Sequence, residues 1–131
     1  MLKHFSKISR AAAAPAPTVN FNGTWKNELK SEMTLNVDAQ GNVSGKYRTG
    51  VGAPGPIEEF SLVGFASDDL LSFTVNFGDY GSLTSWSGQH TVENGTETIK
   101  TLWLLARNIK DLDEPAELWG AVMSGYNNFT R

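Results

Sequence analysis

No cysteine occurs among the 131 residues, so a disulfide framework, a thiolate metal site and a cysteine nucleophile are all excluded, and the composition carries no mark of redox compartment. Histidine is almost as scarce. His4 and His90 stand in unrelated contexts, which gives little support to a histidine-based metal site or catalytic triad. Basic residues are not in excess: the formal charge is -3 and the isoelectric point is near 5.3, the opposite of the footprint expected for a nucleic-acid or acidic-membrane binder. No apolar run approaches the roughly 20 residues that a helix needs to cross a bilayer. A chain of this length suits one domain with a single core.

What is present begins with a segment unlike the rest. Met1 to Arg10 is basic without an acid, and A-A-A-A-P-A-P-T-V follows. Residues 1–20 are expected to be a leader or flexible extension that adds nothing to the core, with export favoured over a transit peptide or a plain tail. Secretion or an extracellular location follows as the expectation. Residues 21–131 are expected to form the folded domain. Four Asn-x-Ser/Thr sequons begin at Asn22, Asn42, Asn94 and Asn128, and their use depends on the host.

From Asn22 onward, short alternating runs are separated by turn residues, and eight strands can be counted. The first is expected from Gly23 to Leu29. The second turns Met33, Leu35 and Val37 inward before the hairpin D-A-Q-G-N, and the third places Val43, Gly45, Tyr47, Thr49 and Val51 on one face. V-G-A-P-G-P then reads as an irregular loop. The fourth run, about Glu58 to Phe65, is ambiguous in phase. In the fifth, Leu71, Phe73, Val75 and Phe77 alternate with Ser72, Thr74 and Asn76; the sixth carries Ser82, Thr84, Trp86 and Gly88 on one face. The seventh aligns Ile99, Thr101, Trp103, Leu105 and Arg107. N-I-K-D-L-D-E-P-A-E-L-W includes a short helical turn, and the last strand runs from about Ala121 to Thr130.

Sequential antiparallel strands with short connections fit either a sandwich or an up-and-down barrel. The inward residues favour the barrel, because they mix aromatics with Asn, Ser, Thr and Tyr, whereas a sandwich core is more uniformly apolar. In W-K-N-E-L-K-S, strand alternation puts Lys26, Glu28 and Lys30 in solvent and leaves Asn27 and Ser31 facing inward beside Trp25 and Leu29. Buried polar groups need partners. An eight-stranded barrel has room for one small ligand that could supply them.

The blocks G-T-W-K-N-E-L-K-S, G-K-Y-R-T-G-V-G, S-L-T-S-W-S-G-Q, T-L-W-L-L and G-Y-N-N-F-T resemble, in order, the avidin and streptavidin family of biotin-binding eight-stranded barrels. The resemblance implies an all-β, antiparallel up-and-down barrel that binds biotin without catalysis, metal or cofactor. It implies that Asn27, Ser31 and Tyr47 donate to the ureido oxygen, while Thr49 and Asn127 accept from the ureido N–H groups. Phe77, Trp86 and Trp103 would wall the ring and tail, with Leu29, Val51 and Leu105 filling gaps and Thr84 near the ligand sulfur. Ser82 and the backbone N–H of Ala53 would receive the carboxylate. Trp119 matches a residue that closes a neighbouring subunit's site, so the implied assembly is a homo-oligomer, a tetramer in preference to a dimer, with biotin as partner and neither nucleic acid nor membrane.

Two residues depart from the family pattern: Phe77 replaces a tryptophan, and Arg107 stands where serine is common near the ligand tail. They leave room for a barrel whose small-molecule specificity has changed, or one with an interaction role. An enzyme built on the same barrel would need an inward acid, base or nucleophile with a shifted pKa, and the inward residues offer mainly amides and hydroxyls. Trp25 is expected in the core. Asp111, Asp113, Glu114 and Glu117 are expected to form a solvated acidic loop.

Overall fold

A computed structural model describes residues 15–50 and 58–131, including the side chains of all but 113–115, 118 and 119. Eight strands follow one another: β1 Gly23–Asn27, β2 Glu32–Val37, β3 Asn42–Arg48, β4 Phe60–Ser67, β5 Leu70–Asn76, β6 Ser82–Glu93, β7 Thr96–Arg107 and β8 Val122–Thr130. Each pairs antiparallel with the next. β8 returns to β1 through Lys26↔Thr130 and Asn27↔Phe129, which closes the barrel and leaves no edge strand among the described residues.

The alternation that identified the strands also builds the interior. Leu71, Phe73 and Val75 of β5 are buried while Leu70, Ser72 and Asn76 between and beside them are exposed. Trp25, Met33, Leu35, Leu62, Ile99 and Phe129 add to the same core from β1, β2, β4, β7 and β8. The fourth strand, ambiguous in the sequence, turns Phe60, Leu62 and Ala66 inward. Burying each of these larger side chains is worth roughly 1.5–3 kcal/mol.

Turn chemistry sets the ends. Between β2 and β3 the Asp38 carboxylate accepts the N–H groups of Gln40 and Asn42 at 2.9 and 2.8 Å. Between β6 and β7, Asn94 and Gly95 have φ of 51° and 78°, the left-handed pair that a two-residue hairpin requires. That hairpin carries β6 to Glu93 and starts β7 at Thr96, so both strands are longer than the sequence suggested. The segment before β8 contains short helical turns over Asp111–Asp113, Glu114–Glu117 and Leu118–Ala121, as expected.

Two expectations are corrected here. The strand alternation of the first run stops at Asn27 rather than Leu29, and that of the third stops at Arg48. Residues 15–20 also do more than an inert leader would. Pro17 bridges Asp68, the Thr18 N–H donates to the Asp68 carbonyl at 2.9 Å, and Val19 packs on the core. Phe21 is fully buried, and its carbonyl accepts the Trp25 indole N–H at 2.9 Å.

Up-and-down topology puts the connections β1–β2, β3–β4, β5–β6 and β7–β8 at one end of the barrel, here called the mouth. The N-terminal segment and the other turns lie at the opposite base. At the base Arg131 donates Nε and Nη2 to the Glu97 carboxylate at 3.0 and 2.9 Å, and its Nη1 and Nη2 reach the carbonyls of Asn22 and Asn20. The guanidinium lies 4.1 Å from the Trp25 ring centroid, a cation–π contact. His90 completes the group, its Nε2 3.0 Å from Glu97 Oε1 and its ring edge-on to Phe21 and Trp25.

Candidate functional site

The polar residues Asn27 and Ser31 flank the β1–β2 turn, and both side chains are buried. The Asn27 Oδ1 accepts the N–H groups of Leu29 and Ser31 at 3.0 and 2.9 Å, which bends the chain away from strand geometry; Lys30 sits at φ 64° within the bend. This is why Leu29 is half exposed instead of facing inward, a correction to the expected gap-filling role. Gly50 presses against the same turn. A Cβ there would lie 2.5 Å from the Lys30 carbonyl oxygen, and the Gly50 N–H donates to Ser31 Oγ at 3.0 Å. The oxygens of Asn27 and Ser31 are thus tied to backbone, which leaves the Asn27 amide N–H groups and the Ser31 O–H as donors.

The Tyr47 hydroxyl is the third member. Burial pushes its phenol above the ordinary tyrosine value, while hydrogen bonds with Ser31 and Asn27 pull it down and the nearby Glu28 charge pushes it up. It therefore stays protonated. Asn27, Ser31 and Tyr47 form one contiguous polar group in the barrel wall.

Beside it lies a connection absent from the sequence reading. Trp86 Nε1 donates to Asn127 Oδ1 at 2.9 Å, Asn127 Nδ2 donates to Glu28 Oε1 at 2.8 Å, and the Asn128 N–H donates to Glu28 Oε2 at 2.9 Å. Glu28, expected to point only to solvent, turns back to hold Asn127. Burial raises the Glu28 pKa, but the hydrogen bonds from Asn127, Asn128 and its own backbone outweigh it and keep the carboxyl below its ordinary value. The arrangement fixes which way the Asn127 amide faces. Its carbonyl keeps one lone pair beyond that used by the indole.

Aromatic rings continue the wall. Phe73 stacks on Trp86 at 5.0 Å between centroids, Trp86 meets Tyr47 at 5.0 Å, Tyr47 meets Phe77 at 6.1 Å edge-on, and Phe60 bridges Phe77 to Tyr80 at 4.9 and 5.9 Å. Trp103 pairs with both Trp86 and Gly125 across the ladder. Glycine at 125 makes room for the indole, because a Cβ there would lie 2.5 Å from Trp103 Cζ2 and one of the two would have to shift.

Toward the mouth, β6 and β7 align Trp86 with Trp103, Thr84 with Leu105, and Ser82 with Arg107. Thr84 is 3% exposed, and its Oγ1 has no hydrogen-bond partner among the described residues. Leaving a buried hydroxyl unpaired costs about 1–3 kcal/mol, so a fold that retains one points to something outside the protein that completes it. No group of three or more metal-ligating side chains occurs among the described residues.

The model of the Avidin family matches residues 15–131. The chain belongs to the avidin family. It is 37% identical to avidin-related protein 4/5 of Gallus gallus over 134 residues, covering 95% of this chain and 87% of that protein. It is 35% identical to Gallus gallus avidin over 136 residues, covering 95% and 88%. Among solved structures, a biotin-binding protein from chicken superposes with a TM-score of 0.75 at 32% identity, covering 86% of this chain and 95% of that one.

Within this avidin-family barrel the residues singled out from the sequence divide three ways. Asn27, Ser31, Tyr47, Trp86 and Asn127 are linked by hydrogen bonds or ring contacts; Phe77 and Trp103 pack against the core cluster, and Thr84, Leu105 and Ser82 continue the wall to the mouth. Thr49, partly buried, lies just beyond β3, two residues from Tyr47. Leu29 alone is displaced outward. Val51, Ala53 and the Trp119 side chain lie outside the described residues. Sequence reading missed Glu28, because its charge matched a solvent face, and Phe60, because the phase of its strand was unclear.

Proposed function

We propose that this avidin-family chain is a non-catalytic biotin-binding protein, with one biotin inside each barrel. The unpartnered Thr84 hydroxyl carries the reading, since it lies on the same inner wall as the polar group of Asn27, Ser31 and Tyr47 and the rings of Trp86 and Trp103. The Asn27 amide, the Ser31 hydroxyl and the Tyr47 hydroxyl supply donors for the ureido oxygen. Asn127, held by Glu28 and Trp86, offers its remaining lone pair to a ureido N–H, and Thr49 takes the other. Phe77, Trp86, Trp103, Leu105 and Val51 enclose the ring and tail, Thr84 faces the sulfur, and Ser82 with the Ala53 N–H takes the carboxylate.

Fixed donors around one polarised oxygen bind without having to reorganise, the same logic as an oxyanion hole. Proton transfer is poorly served. Glu28 is held ionised by the groups it accepts from, and the Tyr47 phenol is pushed up, so neither titrates near neutrality.

The assembly we propose is a homo-oligomer, a tetramer in preference to a dimer, with Trp119 lent to a neighbour's site. The support lies on the outer face of the sheet, where Leu102 of β7 and its cross-strand partner Tyr126 of β8 are 72% and 69% exposed with Leu104 next along β7, and where Phe65 and Val63 of β4 form a second apolar patch beyond Ser72, Thr74, Ser85 and Ser87 of β5 and β6. Such exposed apolar patches favour cover by another copy. Secretion is the location we infer. A barrel with altered ligand specificity is the second reading, favoured by Phe77 and Arg107.

Calorimetric titration of the purified chain with biotin, and with an analogue lacking the ureido group, tests the reading. Saturation at one biotin per chain with no heat from the analogue is expected. Heat from neither would move the conclusion to the second reading.

A further inference from the structure

The cross-strand register of β6 and β7 fixes where Arg107 projects. Paired residues in an antiparallel ladder share a face. Trp86 and Thr84 are buried and Ser82 half buried, so their partners Trp103, Leu105 and Arg107 lie along the inner wall in the same order. Arg107 is four positions along the strand from Trp103, about 13 Å. Arg107 is therefore at the rim of the mouth, one cross-strand step from Ser82.

Its backbone is not frayed there. The Asn108 N–H donates to the Gly81 carbonyl at 2.7 Å, extending the ladder beyond Arg107, and the Phe77 N–H donates to the Ser82 carbonyl at 3.0 Å. The guanidinium, by contrast, is unengaged among the described residues. Arg48 pairs with Glu32 at 3.0 Å and Arg131 with Glu97 at 2.9 Å, yet Arg107 has neither ion pair nor hydrogen bond. The acids on the mouth connections make no ion pair with it: Glu58 accepts the Tyr80 hydroxyl at 2.8 Å, Asp79 lies exposed in the β5–β6 connection, and Asp111 and Glu117 lie exposed in the β7–β8 connection that follows Arg107. These negative charges oppose an anionic ligand. A free cation at the rim reverses that, and a guanidinium matches a carboxylate in charge and in bidentate geometry.

We propose that Arg107 is a specificity-determining residue that selects ligands whose tail ends in a free carboxylate over those ending in a neutral amide or ester. The proposal rests on the biotin reading and adds to it a discrimination between free and amide-linked biotin.

The test measures dissociation rates of biotin and of biotinamide from the full chain and from its Arg107→Gln and Arg107→Lys variants. Arg107→Gln should release biotin about tenfold faster, the scale of one partly exposed charged hydrogen bond, and leave biotinamide release unchanged. Raising salt from about 50 to about 500 mM should speed biotin release from the parent chain and have little effect on the Gln variant. Arg107→Lys, which keeps the charge but not the fork, should fall between them. An acid-to-amide rate ratio identical in parent and Gln variant overturns the role of Arg107 while leaving biotin binding intact. Failure of the parent chain to bind either ligand overturns the biotin reading and this one with it.

Discussion

Replacing Glu28 by Gln isolates the part of the site that the sequence concealed. The Glu28 carboxylate accepts from Asn127 Nδ2 at 2.8 Å and from the Asn128 N–H at 2.9 Å, and both donors lie on β8 while Glu28 follows β1. A Gln of the same shape has one accepting oxygen, so one of the two donors would face an NH₂ group. Hydrogen bonds to a charged acceptor contribute about 1.5–3 kcal/mol when shielded, and the exposure of Glu28 reduces this to about 1–2 kcal/mol for the pair. The effect has a pH signature. Because the folded carboxyl sits below its unfolded value of 4.5, its stabilisation is fully present above that pH and is lost as pH falls through the folded value. Urea unfolding of parent and variant at pH 7 and at successively lower pH should show a gap that narrows on acidification. Biotin release should accelerate in parallel at pH 7, since Asn127 would no longer be held in one orientation. A gap that is absent at pH 7, or that persists unchanged below the folded pKa, would refute the reasoning.

Removing the Tyr47 hydroxyl by Tyr47→Phe should weaken biotin binding by about 1–3 kcal/mol, read as the ratio of release rates, with a smaller change in melting temperature. Gly125→Ala forces the Trp103 indole to move, since its Cζ2 would lie 2.5 Å from the new Cβ; altered tryptophan fluorescence and faster biotin release are expected, with overpacking costing about 1–3 kcal/mol. At the base, Arg131 and His90 hydrogen bonds hold the Glu97 carboxyl down to about 2, so its stabilisation should persist above pH 4.5 and fade between there and about 2. Glu97→Gln should therefore lower the melting temperature at pH 6 and converge with the parent near pH 2. Trp119→Ala should speed biotin release far more than it alters the melting of a dissociated chain, and unchanged release would argue against lending across subunits.

The strands were legible wherever alternation alone governed them, as in Leu71, Phe73 and Val75, and the family blocks singled out Asn27, Ser31, Tyr47, Trp86 and Asn127, which hydrogen bonds and ring contacts link in the fold. Legibility failed where a side chain overrode the period. Asn27 captures two backbone N–H groups, and from that point Leu29 turns outward while Glu28, still exposed, folds back onto Asn127 and Asn128. It failed again for contacts between residues far apart in the chain, such as Glu28 with Asn127 or Glu97 with Arg131, because no local pattern encodes a partner ninety-nine or thirty-four positions away. Strand length was underestimated at Glu93 and Thr96 because exposed polar residues in a long hairpin look like loop.

The clasp of Arg131 on Asn20 and Asn22 brings two distant stretches of sequence together at the end of the cylinder remote from the mouth. A brief peptide bridge across that gap would convert the circle of strands into a covalent ring. New ends could then be opened at the Asn94–Gly95 bend without touching any residue of the proposed site, and a cargo attached to residue 131 would hang beneath the vessel rather than across its opening.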